Sequence, residues 1–322
     1  MKNSLNNKKI FVAGHNGMVG SSIVKYFYKK GIKKIITKSR KSLDLTNKKK
    51  VFNFIKSNKP EIVINCAGRV GGIMANYNYP VQFLHENINM QLNLIEACRK
   101  YKIKTFVNLG SSCIYPKASK QPIKENYLLS GKLENTNEAY ALAKIIGLKS
   151  CEFYNRQFGT KYFTIMPCNL YGPNDNFNSK TSHFIPALIK KFTYAKKNKT
   201  KSVEIWGSGK PKREIMYVDD LASSIFFILD KVYSKNKKII NYLKKTPLIN
   251  VGSSKEYSIK QFSIIVKNII FKNVKLKFNK KYPDGTPRKI LDSSIINKFG
   301  WKASVKIEDG LQATLNWYKK NF

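Results

Sequence analysis

Residues 9–20 restrict what this chain can fold into more than any other stretch. The apolar run Ile10-Phe11-Val12-Ala13 stops at Gly14-His15-Asn16-Gly17-Met18-Val19-Gly20, and residues 21–30 then carry a helical pattern that ends at Gly31. Short apolar runs of this kind read as buried strands. A strand, a glycine turn and a helix in that order allow the backbone to approach a pyrophosphate closely, with the open N–H groups of the helix start facing its charge. The spacing is Gly-x-x-Gly-x-x-Gly, one residue away from the common Gly-x-Gly-x-x-Gly form, so it needs support from its neighbours.

That support follows directly. Residues 33–37 form a second strand pattern and end in Lys38-Ser39-Arg40-Lys41. An NAD site usually places Asp or Glu near this point to accept from the ribose 2′-hydroxyl. The basic residues predict NADP instead, with Arg40 as the 2′-phosphate ligand; an exposed basic loop is the alternative. Asp44-Leu45 precedes a helix over 47–57, a third strand ends at Asn65-Cys66-Ala67-Gly68, a helix covers 80–101, and strands at 105–109 and 162–166 follow. This alternation predicts an α/β fold, a Rossmann-type doubly wound parallel sheet with ligands at the carboxyl ends of its strands. Beyond Tyr171-Gly172-Pro173 the alternation breaks down. Residues 1–173 are therefore expected to form the dinucleotide lobe, completed by about 218–252, and residues 174–322 a smaller α/β substrate lobe. Asp219 and Asp220 are expected to cap a helix running to residue 229 through their side chains.

A possible catalytic group lies between residues 110 and 144. Ser111 ends the fourth strand, and Tyr140-Ala141-Leu142-Ala143-Lys144 begins a run of good helix formers. Tyr140 and Lys144 should therefore stand one turn apart on one helix face, where an ammonium favours the phenolate and lowers its pKa toward a useful proton donor. An isolated Tyr-x-x-x-Lys is more often a surface pair, so the glycine turn upstream carries the weight.

Composition excludes other classes. With 322 residues and 42% hydrophobic content, the chain has ample material for a core. The net charge of +41 raises nucleic acid as a partner, but the longest basic run is Lys48-Lys49-Lys50 and the other lysines are scattered. That distribution fits solvated faces, and no nucleic-acid surface is expected. Cys66, Cys98, Cys113, Cys151 and Cys168 are odd in number and lack Cys-x-x-Cys spacing, so a reduced interior is expected and no metal site. A polar start over residues 1–9, and no apolar run near about 18 residues, predict a cytoplasmic protein without a membrane span.

With these motifs placed, the chain resembles the extended short-chain dehydrogenase/reductases, and within them the branch that converts GDP-4-keto-6-deoxy-D-mannose to GDP-L-fucose. The resemblance runs almost end to end: the glycine turn, Arg69-Val70-Gly71-Gly72-Ile73, Gly110-Ser111-Ser112-Cys113-Ile114-Tyr115-Pro116-Lys117, Cys168-Asn169-Leu170-Tyr171-Gly172-Pro173, Ser182-His183, Trp206-Gly207-Ser208-Gly209 and Pro283-Asp284-Gly285-Thr286-Pro287-Arg288-Lys289. It implies a reductase triad of Ser111, Tyr140 and Lys144, and Cys113 and His183 as the acid/base pair that inverts C3 and C5 beside a 4-ketone. It implies NADP(H) held by Gly14, Asn16, Gly17, Met18, Val19, Gly20, Arg40, Asp44, Leu45, Leu109, Gly110, Ser111, Ser112, Tyr140, Lys144, Pro167, Asn169, Leu170 and His183. It implies a GDP-sugar met by Lys191, Trp206, Arg213, Asp284 and Lys289, although Trp206 between Ile205 and Gly207 also fits a core position. A homodimer through the helices at 80–101 and 139–158 is implied too, with Leu92, Leu94, Ile95, Ile145, Ile146 and Leu148 as surplus apolar residues. Three positions depart from the family pattern: Asn16 and Lys191 stand where Arg is common, and Cys168 where Thr is usual. Another GDP-4-keto sugar, such as a heptose, is the alternative substrate.

Overall fold

A computed structural model describes residues 4–178, 182–282 and 284–322; Pro283 of the last motif lies outside the described residues. The first part of the chain runs β1 (Ile10–Ala13), α1 (Met18–Lys29), β2 (Ile35–Lys38), α2 (Lys48–Asn58), β3 (Ile62–Asn65), α3 (Ile73–Asn78), α4 (Pro80–Lys100), β4 (Thr105–Leu109), α5 (Glu138–Phe158) and β5 (Lys161–Pro167). It continues through β6 (Asn169–Tyr171), α6 (Phe184–Lys197), β7 (Ser202–Trp206), β8 (Lys212–Tyr217), α7 (Val218–Tyr233), α8 (Lys237–Lys245), β9 (Leu248–Val251) and β10 (Glu256–Ser258). The last elements are α9 (Ile259–Ile270), β11 (Lys275–Asn279), β12 (Arg288–Lys289), α10 (Ser294–Lys298) and α11 (Ile307–Asn321).

Six parallel strands in the order β2-β1-β3-β4-β5-β9 form the central sheet, as the doubly wound reading requires. Every residue of β1, β3 and β4 is buried, which is why these strands read as continuous apolar runs. The pleat still sorts them: Ile10 and Val12 pack with Ile23 and Phe27 of α1, while Phe11 and Ala13 pack with Val51 and Ile55 of α2. From β1 the chain winds to β2 on one side and to β3 on the other. The carboxyl ends of β1 and β3 therefore diverge at a switch point, where open sheets of this kind take ligands.

A second sheet joins β6, β8, β10 and β12, and β7 pairs with β11. These strands share a separate core with α6, α9 and α11, built on Phe192, Phe262, Leu311 and Leu315. Leu291, Ile296 and Trp301 pack into the first core instead, and α10 lies against the edge strand β9.

The expected caps of α7 are corrected by the structure. Neither Asp219 nor Asp220 caps the helix, which starts after Tyr217 without a side-chain cap and runs on to Tyr233. The Asp219 carboxylate accepts from the Ser22 hydroxyl at 2.6 Å, and Asp220 accepts from the backbone N–H groups of Ser304 and Val305. Long-range donors took these carboxylates, because α7 packs along α1 and the 304–305 segment crosses its start.

Candidate active site

A cavity of about 600 Å³ opens at the carboxyl ends of β1, β3, β4 and β5. All the residues assigned to a dinucleotide on sequence grounds line it, from Gly14 to His183. Gly14 has φ +78°, and an added Cβ would stand 2.7 Å from the Ala67 nitrogen. Only glycine allows β1 to turn so close to the end of β3. Gly17 is the N-cap residue of α1 and supplies no side-chain cap, so the first N–H groups of the helix face the cavity unblocked.

Deeper in, Lys144 is buried, and its ammonium donates to the Leu109 carbonyl at 2.8 Å. The same Nζ lies 5.7 Å from the centre of the Tyr140 ring, so the two side chains share one helix face as expected. Phe83 of α4 braces that ring edge-on at 6.1 Å. The phenol hydrogen-bonds with Ser111, which also reaches the Cys113 thiol.

The electrostatics differ from the sequence expectation. Burial raises the Tyr140 phenol above its ordinary value, the neighbouring Cys113 adds to the rise, and the Ser111 hydrogen bond only partly offsets both. Burial brings the Lys144 ammonium down to about 8. Desolvation is the largest cause in both, disfavouring the phenolate and the ammonium alike. Burial likewise raises the Cys113 thiol, against the pull of Lys289 and Lys144, and lowers the His183 imidazole. Both are then neutral near pH 7, as partners that exchange protons require. His183 occupies the N-cap position of α6 without capping it.

Five further residues gather around β7 and β8. Trp206 is 56% exposed, which removes the core alternative. Its ring stacks on Tyr282 at 4.3 Å, and the Lys191 ammonium stands 4.6 Å from its centre. Asp284 accepts from the Ser208 N–H and hydroxyl, which hold its carboxyl below the usual range. Arg213 donates to the Lys212 and Thr286 carbonyls, and β12 places Lys289 opposite it in register. Lys289 in turn lies in electrostatic reach of Cys113, so the basic cluster adjoins the Ser111, Cys113 and Tyr140 side chains.

Three side chains on the cavity wall carried no sequence signal. Glu86 of α4 reaches up to Arg69 at 2.6 Å and to Arg40 at 3.4 Å, so an acid enters this corner from the helix and not from β2. Asp175 and His15 each line the cavity with a buried side-chain atom, Oδ2 and Nδ1, that has no hydrogen-bond partner among the described residues. Burial pushes the Asp175 carboxyl up to about 7.

The profile of the NAD dependent epimerase/dehydratase family matches residues 10–242. The chain belongs to that family. Members similar to it include GDP-L-fucose synthase 1 of Arabidopsis thaliana, 44% identical over 97% of this chain and 94% of the relative. GDP-L-fucose synthase of Escherichia coli strain K12 is 39% identical over 98% of both chains. Among solved structures of the epimerase/dehydratase fold, a GDP-D-glycero-L-gluco-heptose synthase from Campylobacter jejuni, determined in the presence of NADPH, superposes with a TM-score of 0.89 at 34% identity, covering 98% of this chain and 99% of that one. The family resemblance and the fold class expected from the sequence are thereby borne out.

Proposed function

We propose that the protein converts GDP-4-keto-6-deoxy-D-mannose to GDP-L-fucose, by epimerisation at C3 and C5 followed by reduction of the C4 ketone with NADPH. The observation that carries this reading is the adjacency of Ser111, Cys113, Tyr140 and Lys144 beside one cavity, with His183 in its wall and a basic cluster next to Cys113. NADP(H) fits the cavity because Gly17, at the start of α1, leaves open space that a side chain would fill, and because Arg40 stands at its rim with 76% of its side chain exposed. When bound there, NADPH supplies the hydride. Cys113 and His183 move protons at C3 and C5 on opposite faces of the sugar, Ser111 and Tyr140 hold the C4 oxygen, and Tyr140 delivers the final proton. Lys191, Trp206, Arg213, Asp284 and Lys289 bind the GDP portion in the second lobe, while the first lobe binds the dinucleotide. A heptose as the natural sugar is the second reading, favoured by the high structural similarity to the heptose synthase.

The protein is further proposed to be a homodimer through α4 and α5. The sequence basis for this needs correction, since Leu94, Ile95, Ile145 and Leu148 are buried within the chain's own cores. Of the six expected residues, Ile146 alone is exposed, and with Leu142 and Phe153 it makes an apolar surface on α5. No helix among the described residues is long and apolar enough to cross a membrane. The five free thiols suit a reducing, cytoplasmic setting.

The test is incubation with the GDP-4-keto sugar and NADPH in heavy water, with products and isotope positions read by NMR. GDP-L-fucose carrying deuterium at C3 and C5 is expected. Cys113→Ser should stop the exchange, because a serine hydroxyl is too weak an acid to cycle as a base. Tyr140→Phe should keep exchanging while NADPH oxidation collapses by about 10²-fold or more. Wild-type exchange in Cys113→Ser would remove that residue from the mechanism.

A further inference from the structure

Strand β8 carries Arg213 and Glu214 in succession, so their side chains leave opposite faces. Arg213 joins the basic cluster; Glu214 turns inward and is 1% exposed. A carboxylate is costly to bury, and an apolar residue of similar size commonly serves stability as well or better. Burial pushes this carboxyl up to about 7, against the pull of the backbone bonds that hold it. One oxygen accepts from the Ser254 N–H at 2.7 Å and the other from the Leu291 N–H at 2.9 Å. Ser254 lies just beyond β9, and Leu291 lies two residues past Lys289. The position opposite is Gly252, where any Cβ would collide with the Glu214 carboxyl group.

Three segments therefore meet on one carboxylate: β8 with Arg213, the segment of Lys289, and the turn after β9. Arg213 and Lys289 face each other across the β8–β12 pairing, and the charge of Arg213 already weighs against that of Lys289. Two like charges keep a fixed separation only where the backbone beneath them is rigid. The Arg213 guanidinium adds a tie to the Thr286 carbonyl, but this lies on the ligand side and is open to exchange.

We infer that Glu214 is a positioning residue for the nucleotide sugar, a buried buckle that holds the backbones of Arg213 and Lys289 so that both charges converge on the diphosphate. This rests on the reading of the Arg213–Lys289 cluster as the GDP site. Glu214 itself touches no ligand. A role confined to folding would lower stability without distinguishing one ligand from another, whereas a positioning role weakens the GDP site and spares the dinucleotide site.

Two variants separate these outcomes. Glu214→Gln turns an NH2 group toward a backbone N–H, and Gly252→Ala keeps the carboxylate but displaces it. Each is titrated with GDP and, separately, with NADPH by calorimetry, alongside thermal unfolding. The GDP dissociation constant should rise about tenfold in both, the scale at which supporting groups act on the ligands they hold. NADPH affinity should stay within about twofold, and KM for the GDP-4-keto sugar should rise with KM for NADPH unchanged. If Glu214→Gln fails to fold, Gly252→Ala decides. Unchanged GDP affinity in a folded variant overturns the inference, and so does an equal loss of both ligands. A wild-type protein that binds NADPH but no GDP would instead overturn the nucleotide-sugar reading, and this inference with it.

Discussion

Gly14 and Gly17 sit three residues apart in one turn, yet replacing each with alanine should have opposite consequences. At Gly14, φ of +78° costs an L-residue about 1–2 kcal/mol. The new Cβ would stand 2.7 Å from the Ala67 nitrogen and 2.8 Å from its Cα. Both are backbone atoms at the end of β3 and cannot swing aside, so overpacking adds about 1–3 kcal/mol. Gly14→Ala should therefore lose about 2–5 kcal/mol of stability. Gly17 is extended, with φ −80° and ψ 169°, and its added Cβ would meet only the Gly14 carbonyl at 3.5 Å. Gly17→Ala should unfold within about 0.5 kcal/mol of the wild type. Its methyl would, however, stand on the cavity wall at the start of α1, between the helix N–H groups and an approaching pyrophosphate. NADPH affinity should fall about tenfold, equivalent to about 1.4 kcal/mol. Urea unfolding followed by circular dichroism measures the first quantity and NADPH fluorescence titration the second. Wild-type affinity in Gly17→Ala would refute the placement of the pyrophosphate, and wild-type stability in Gly14→Ala would refute the turn geometry.

The Arg40 guanidinium makes a long ion pair to Glu86 at 3.4 Å and lies in electrostatic reach of Asp44, interactions worth little at such exposure, so it can turn to a 2′-phosphate. Arg40→Ala should weaken NADPH about tenfold or more and leave NADH unchanged; equal losses would remove Arg40 from cofactor selection. Lys144 has a folded pKa of about 8 against an ordinary 10.5, so its burial penalty is absent above about pH 10.5, grows as the pH falls, and is complete below about pH 8. Lys144→Met should therefore abolish ketone reduction while adding up to about 3 kcal/mol of stability at pH 7, a gain that should vanish by about pH 11 in urea titrations across that range; a gain independent of pH would refute the charge argument. Sedimentation at micromolar concentration should show a dimer, and Ile146→Glu with Phe153→Glu should shift it to monomer without altering the circular dichroism spectrum.

Much of the fold could be read from the chain because it depends on short-range periodicity. Buried strands repeat apolar residues over four or five positions, a 3.6-residue turn brings Tyr140 and Lys144 to one face, and glycine marks where the backbone must double back. These signals lie within a few residues of the groups they predict, so β1, the glycine turn, α1 and the strand end bearing Ser111 all stand where the sequence places them. What the tertiary structure alone decided concerns partners far apart in sequence. Asp220 binds the 304–305 segment and not its own helix, Trp206 stacks on Tyr282, Arg40 meets Glu86 from another element, and Glu214 gathers Ser254 and Leu291. Protonation belongs with these: Tyr140 and Lys144 are spaced by the helix, but their pKa values follow the depth of burial that other elements impose. A local pattern records which face a residue occupies; its charge state and hydrogen-bond partners depend on which other elements pack over that face, and no local spacing encodes them.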